Sequence, residues 1–442
     1  MWKIVGQSQR YCDGVSRRSF LQVGALASAG LTLPGLLGSR ASAAHRDATL
    51  DVKRRSAILI YLAGGPSHYE TFDPKPTAPS EIRGPYGPIS TSVPGLQICE
   101  TLPQLAKIAD KYSLIRSCAH DNSGHGGGTR YVQTGYKSAS LEDELPHDYP
   151  AVGSVVAKVR GPMRNGMPTY MHLPNGGDGG PKFLGNAYDA FDVYSNGKPV
   201  GLNLYPSVKL ERMEDRRYLR GQLDRMARMS EARPVMDAMD DLERQAFEML
   251  SNSTARQAFD SKDETTATRE RYGSHEAGKC CLLARRFIEA GAGIVTVRIG
   301  SWDQHGNAGG TVHTTATDNC PPLDQALSAL LSDLAERGLS EDVLVYCWGE
   351  FGRSPRINKL LGRDHWPQAM SVLMAGGGIQ PGRVIGATNS KGEHPVDQTL
   401  SPADVLATVY QQLGIDPTQQ FLNGAGRPIS ILGHGEPIRD LQ

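Results

Sequence analysis

Apolar and polar positions along the chain predict short buried strands that empty into charged loops and are joined by amphipathic helices. Apolar runs at 54–62, 113–118, 152–159, 169–173, 293–299, 343–348 and 369–375 read as strands. Residues 102–111, 275–290, 323–337 and 401 to 413 repeat apolar side chains at helical spacing. Ser401 as N-cap, Pro402 at the first helical position and Asp404 two residues on mark the start of the last helix. Strands alternating with helices predict an α/β fold with a largely parallel central sheet flanked by helices. A charge-laced stretch over 208–261, with Met and Leu at helical spacing, predicts a helical insertion that packs on it.

The N-terminus reads as an address. Ser16-Arg17-Arg18-Ser19-Phe20-Leu21 precedes a Gly/Ala-rich apolar run at 21–37, and Ala41-Ser42-Ala43 supplies a small-residue cleavage pattern. Residues 1–43 are therefore expected to be a twin-arginine signal peptide. The remainder, 44–442, is expected to be a single domain in the periplasm or another extracytoplasmic space. The apolar run is too short and glycine-rich for a good spanning helix, so no transmembrane segment is expected in the mature chain.

Composition narrows the function classes. Forty-seven basic residues balance 47 acidic ones, which argues against a nucleic-acid footprint. None of the seven cysteines forms a CxxC pair, so a zinc ribbon or thioredoxin-type site is not expected; disulfide pairing stays open. The first strand ends in Ala63-Gly64-Gly65 without a GxGxxG, so a dinucleotide site is not supported.

The candidate chemistry sits at strand ends, where open α/β sheets build their sites. The strand at 293–299 delivers Asp303 and His305; the strand at 343–348 delivers Glu350, Arg353 and Arg356 and then the adjacent pair Asp364-His365. The first strand leads to His68, Glu70 and Asp73, and the second to Ser123, His125 and a glycine run at 126–128 whose amides can cradle an oxyanion. A helix starting near Gly128 would aim its N-terminus at the same place. His394 follows late in the chain. Carboxylate and imidazole ligands without thiolate suit one or two divalent ions, zinc or manganese, bound by Asp303, His305, Asp364, His365, His394, His68 and Asp73. Arg353 and Arg356 can neutralise a phosphate or sulfate ester.

The blocks GGPSHYETFDPKP, SWDQHGN, CWGEFGRSPRIN and GRDHWP together resemble the DUF1501 family over residues 50–435. That family is similar in turn to the alkaline phosphatase/sulfatase superfamily, whose ligand order is matched by Asp303 with His305, Asp364 with His365, and His394. The resemblance implies an alkaline-phosphatase-like fold and a metal-dependent hydrolase of phosphate or sulfate esters on small-molecule or glycan substrates. Three departures stand out. Glycines replace the strand-end Asp, so His68, Glu70 or Asp73 must substitute. The Asp-x-His spacing is tighter than the superfamily's. The nucleophile position, ten residues before Gly135, holds His125 rather than Ser, Thr or Cys. His125 is then expected to act in proton transfer, as a ligand or as a nucleophile, with Ser123 as the second candidate and Arg353 stabilising charge. The alternative is a non-catalytic metal-binding envelope protein of the same fold, serving as a binding or assembly partner; the replaced nucleophile favours it, and the recurring Asp/His positions favour the enzyme.

Overall fold

The first apolar run forms β1 (Ser56–Leu62), and every residue in it is buried. Burial of both faces explains why the run is continuous rather than alternating. Ile58, Ile60 and Leu62 enter one apolar cluster, while Ala57, Leu59 and Tyr61 enter the other, as the two-residue side-chain period of a strand requires. The computed structural model describes residues 55–137, 149–164, 166–174, 179–200, 249 and 252–442. The leader at 1–43 and most of the insertion expected over 208–261 lie outside them.

The other strands of the central sheet are β2 (Ser113–Cys118), β3 (Tyr170–Leu173), β4 (Phe191–Asp192), β5 (Ile294–Ile299), β6 (Val343–Trp348), β7 (Met370–Ala375) and β8 (Val384–Ile385). Their order is β8-β2-β7-β6-β1-β5-β3-β4. β1 lies at the centre, parallel to β5 on one side, where Leu62 pairs with Ile299, and to β6 on the other, where Tyr61 pairs with Trp348. β7 alone runs antiparallel to its neighbours β2 and β6. Residues 349–369, which join β6 to β7, contain no helix, and a parallel return is normally made through a helical crossover. The antiparallel direction has a functional effect: the segment entering β7, not the one leaving it, stands at the edge where β1, β2, β5 and β6 end.

Helices cover both faces. Five matter here: α1 (His125–Thr134), α2 (Val152–Arg160), α3 (Glu276–Ala290), α4 (Cys320–Glu336) and α5 (Pro402–Gln412). α3 and α4 pack into the cluster holding Ile58, and α2 and α5 into the one holding Tyr61. Ser401 and Asp404 form a reciprocal capping box at the head of α5, with Pro402 just inside it. The strand expected at 152–159 is instead α2. Val152, Val155 and Val156 recur at helical spacing and bury one face against the sheet, so packing outweighs the β preference of valine. Gly161, at φ +64°, ends it. The six cysteines among the described residues are buried free thiols, Cys347 in β6 among them.

Candidate metal centre

Five segments meet at the edge of the sheet: the turn after β1, the loop from β2 into α1, the loop after β5, the turn after β6 and the residues entering β7. The turn after β1 is glycine for a steric reason. Gly64 has φ +109°, and a Cβ there would overlap the backbone of Trp302 and Asp303. The loop after β5 therefore lies directly over it, tied by Trp302 N donating to Ala63 O at 2.8 Å. α1 begins at His125, three residues before the expected start, with Gly124 as an N-cap that offers no side chain. Its glycines also answer to contacts: a Cβ on Gly127 would overlap the Asn122 side chain, and one on Gly128 would press on Phe351 and Glu350.

His125, Asp303, His305 and His365 come together, each offering one ligand atom, and all four atoms lie within 4.8 Å of one another. Asp303 Oδ1 is the hub. It stands 2.9 Å from His305 Nε2, 3.0 Å from His365 Nε2 and 3.2 Å from His125 Nε2. Arg353 Nη2 donates to the same oxygen at 2.8 Å. Burial pushes the Asp303 carboxyl up, but the Arg353 and His365 hydrogen bonds outweigh it, leaving the group well below the usual carboxylate range.

The outward nitrogens decide what the inward ones can do. His125 Nδ1 donates to Glu350 Oε1 at 2.7 Å, His365 Nδ1 to the Ser123 carbonyl at 2.7 Å, and His305 Nδ1 faces Asp364 Oδ1 at 3.4 Å. Carboxylates and carbonyls only accept, so each imidazole meets an acceptor at both nitrogens, Asp303 Oδ1 inward and a second oxygen outward; a neutral ring that keeps its single N–H on the outward Nδ1 turns the Nε2 lone pair inward. Three such nitrogens around a carboxylate oxygen repel one another unless a cation joins them; His305 Nε2 and His365 Nε2 are only 2.9 Å apart. Anchoring of the far ring nitrogen is also how metal-bound histidines are held. The donor set, three nitrogens and one oxygen, fits zinc or manganese.

Glu350 is the residue that sequence reasoning left unassigned. It is buried, its carboxylate accepts from Gly64 N at 2.8 and 3.1 Å and from the Tyr61 hydroxyl at 3.0 Å, and it grips His125 from behind. The hydrogen bond to Glu350 is the main reason His125 titrates above an ordinary histidine. His365 titrates below one, because burial outweighs its bond to Asp303. A signal for Glu350 existed: it is the first charged residue after β6, as Asp303 is after β5.

The other expected site residues are placed as follows. Arg353 is buried and makes five hydrogen bonds, to the carbonyls of Gly64, Gly65, Trp302 and Arg363 and to Asp303, so it braces the hub from within instead of presenting itself to a substrate. A two-residue ladder sets His365 opposite Arg353. Arg356 is 77% exposed and pairs with Glu81 at 3.6 Å. Asp364 stands behind His305, sharing Oδ1 with Asn358 Nδ2 at 3.2 Å, outside the four convergent atoms. Ser123 contributes its carbonyl to His365, and its side chain is exposed.

His68, Asp73 and His394 lie outside the cluster. Proximity to a strand end does not fix side-chain direction, and these face other partners. Asp73 pairs with Lys75 at 2.9 Å and Arg116 at 3.6 Å and accepts from the Thr388 hydroxyl at 2.5 Å. His394 is exposed on the turn between two short strands, Ala387–Thr388 and Pro395–Asp397. His68 is fully buried and bonds the Gly392 carbonyl at 3.0 Å, next to the Tyr69 hydroxyl donating to Lys391 O and near the Trp366 indole donating to Glu393 O. Three consecutive carbonyls thus latch this hairpin beside His365.

Burial drives His68 down to about 4, against the pull of Asp73. The folded state then binds fewer protons than the unfolded one between the unfolded value near 6.5 and 4. Stability from this group is complete above about pH 6.5 and is lost as pH falls toward 4, up to about 3 kcal/mol in all. Urea denaturation across that range is expected to show a slope that His68→Gln removes; an unchanged slope would refute it.

Solved structures similar to this chain include Ps i-CgsB (10% identity, TM-score 0.42), covering 82% of this chain and 73% of that one. Another is the phosphonate monoester hydrolase of Agrobacterium radiobacter (11% identity, TM-score 0.38), covering 88% and 77%. A third is an alkaline phosphatase superfamily protein from Vibrio parahaemolyticus (11% identity, TM-score 0.37), covering 82% and 67%. No curated protein matches the sequence. The family model described as "Protein of unknown function (DUF1501)" matches residues 54–442, and the chain belongs to that family.

Proposed function

We propose that the protein is an exported hydrolase of phosphate or sulfate esters, on small-molecule or glycan substrates, that works with one divalent ion, zinc or manganese. The observation that carries this reading is the inward turn of three imidazole Nε2 atoms on Asp303 Oδ1, each with its far nitrogen anchored to an oxygen acceptor. His125 Nε2, Asp303 Oδ1, His305 Nε2 and His365 Nε2 would hold the ion. When bound, it supplies Lewis acidity toward an ester oxygen and lowers the pKa of water. Glu350 keeps His125 in the tautomer that binds, and Arg353 fixes Asp303. The first-turn amides of α1, free of any side-chain cap, are available to non-bridging ester oxygens beside the cluster.

With Nδ1 on Glu350 and Nε2 in the cluster, both nitrogens of His125 are committed, which argues against its acting as a nucleophile. The same commitment favours a second reading, a binding protein that keeps the ion without turnover. Metal analysis of the folded protein, followed by assays on 4-nitrophenyl phosphate and sulfate, separates the two. About one equivalent of metal with turnover supports the hydrolase, and one equivalent without turnover leaves the binding protein. A metal-free protein overturns both. Glu350→Gln is expected to weaken metal affinity about 10–100-fold, with activity restored by excess metal.

A further inference from the structure

The loop that presents Asp303 meets an irregular turn in the helix beyond it. Residues 312–336 form one helical run, and Pro321 and Pro322 lie inside it. Proline gives no N–H to a helix, and its ring crowds the carbonyl four residues back, here those of Thr317 and Asp318. The chain answers by widening: Thr315–Asn319 is a turn of π type between the single turn Val312–Thr314 and α4. Such turns are rare and gather at functional sites. Asn319 ends this one. Its Nδ2 donates to Ser301 O at 2.8 Å, and its Oδ1 accepts from Gln304 Nε2 at 3.2 Å. A carbonyl only accepts, so the bond to Ser301 fixes which way the Asn319 amide is turned, and Oδ1 is left to meet a donor.

We propose that Asn319 is a positioning residue of the metal centre, clasping the loop after β5 so that Asp303 Oδ1 stays where the three imidazoles meet. The inference rests on the reading of His125, Asp303, His305 and His365 as a metal centre, and adds to it a residue outside those four. Three observations carry it. The two bonds of Asn319 land on either side of Asp303, at Ser301 and at Gln304. Asn319 is not serving as an ordinary helix cap: its backbone is already helical, at φ −98° and ψ −44°, and its side chain makes no bond to the head of α4. Gln304 is buried, and its backbone carbonyl accepts from Arg363 N at 3.2 Å, which joins the clasp to the segment carrying His365. Arg353 fixes the Asp303 carboxylate itself, and Asn319 fixes the backbone that carries it.

Zinc affinity of the folded full chain, measured by competition with a chromophoric chelator, tests this without any assay of turnover. Asn319→Ala is expected to weaken affinity about tenfold, the low end for losing an outer partner of a ligand. Alanine favours a helix, so the metal-free melting temperature should stay within about 3 °C of the parent's. A side chain with a merely structural role would give the opposite split. Gln304→Met removes only the longer bond and should cost about threefold. Because both side chains act through one clasp, the double variant should bind no more weakly than Asn319→Ala alone. Asn319→Asp is a second route: it keeps an acceptor for Gln304 but sets a carboxylate against the Ser301 carbonyl, so it should lose as much as alanine. Asn319 variants that bind zinc as the parent does, or losses that simply add in the double variant, would overturn the proposal and leave the metal centre standing. A parent chain that binds no zinc would overturn the centre and this role of Asn319 with it.

Discussion

Alanine at Asp303 is expected to remove bound metal, by more than the 10–100-fold typical of losing an outer partner of a ligand. The carboxylate oxygen is the point on which three Nε2 atoms and the Arg353 guanidinium converge, so its loss takes away a ligand and the charge that gathers the others. The effect on folding should be smaller. Arg353 keeps four backbone carbonyls, and Asp303 is 38% exposed, so solvent screens the pair; about 1 kcal/mol is expected. Asp303→Asn separates the two roles, since its amide oxygen still accepts from Arg353. It should match the metal-free parent's stability in urea while losing most of the metal. Full metal content in either variant would remove Asp303 from the centre.

The largest loss of stability is expected from Glu70→Ala. Glu70 and Arg363 are both 2% exposed, joined at 2.8 Å through Nη2 and at 3.2 Å through Nε. Arg363 also stacks its guanidinium over Tyr69, 4.2 Å from the ring centroid. Removing the carboxylate leaves a buried cation without its partner, which costs about 3–5 kcal/mol. The pair joins the loop after β1 to the segment that carries His365, so metal affinity should fall as well. Glu70→Leu combined with Arg363→Met is expected to recover most of the stability, because both charges then leave the interior. A single variant as stable as the parent in urea would show that the pair contributes nothing.

Much of this architecture was legible in the sequence because its signals are local. Most of the continuous apolar runs are buried strands, Asp303 and His305 closely follow one of them, and His365 lies just ahead of another. His125 emerged from a count back from Gly135. What was not legible depends on direction. His68 and Asp73 sit as close to a strand end as Asp303 does, yet their side chains turn to Gly392 and to Lys75, Arg116 and Thr388. Arg353 looked like a hand for a substrate; burial and carbonyl partners make it a brace. Glu350 was hidden in a charged loop, because only the pairing of β1 with β6 brings its carboxylate onto Gly64 and His125. Helix α2 was misread because nine valine-rich residues satisfy both periods.

The anchors behind the three imidazoles come from separate stretches of chain: Glu350 after β6, the Ser123 carbonyl before α1, and Asp364 ahead of β7. Opening any one of them frees a ring and weakens the grip on the ion. The rate at which metal escapes into excess chelator is then set by the least protected of these stretches. Hydrogen exchange at their amides should slow on metal loading by a common amount, making the bound ion a clock for local opening of the sheet edge.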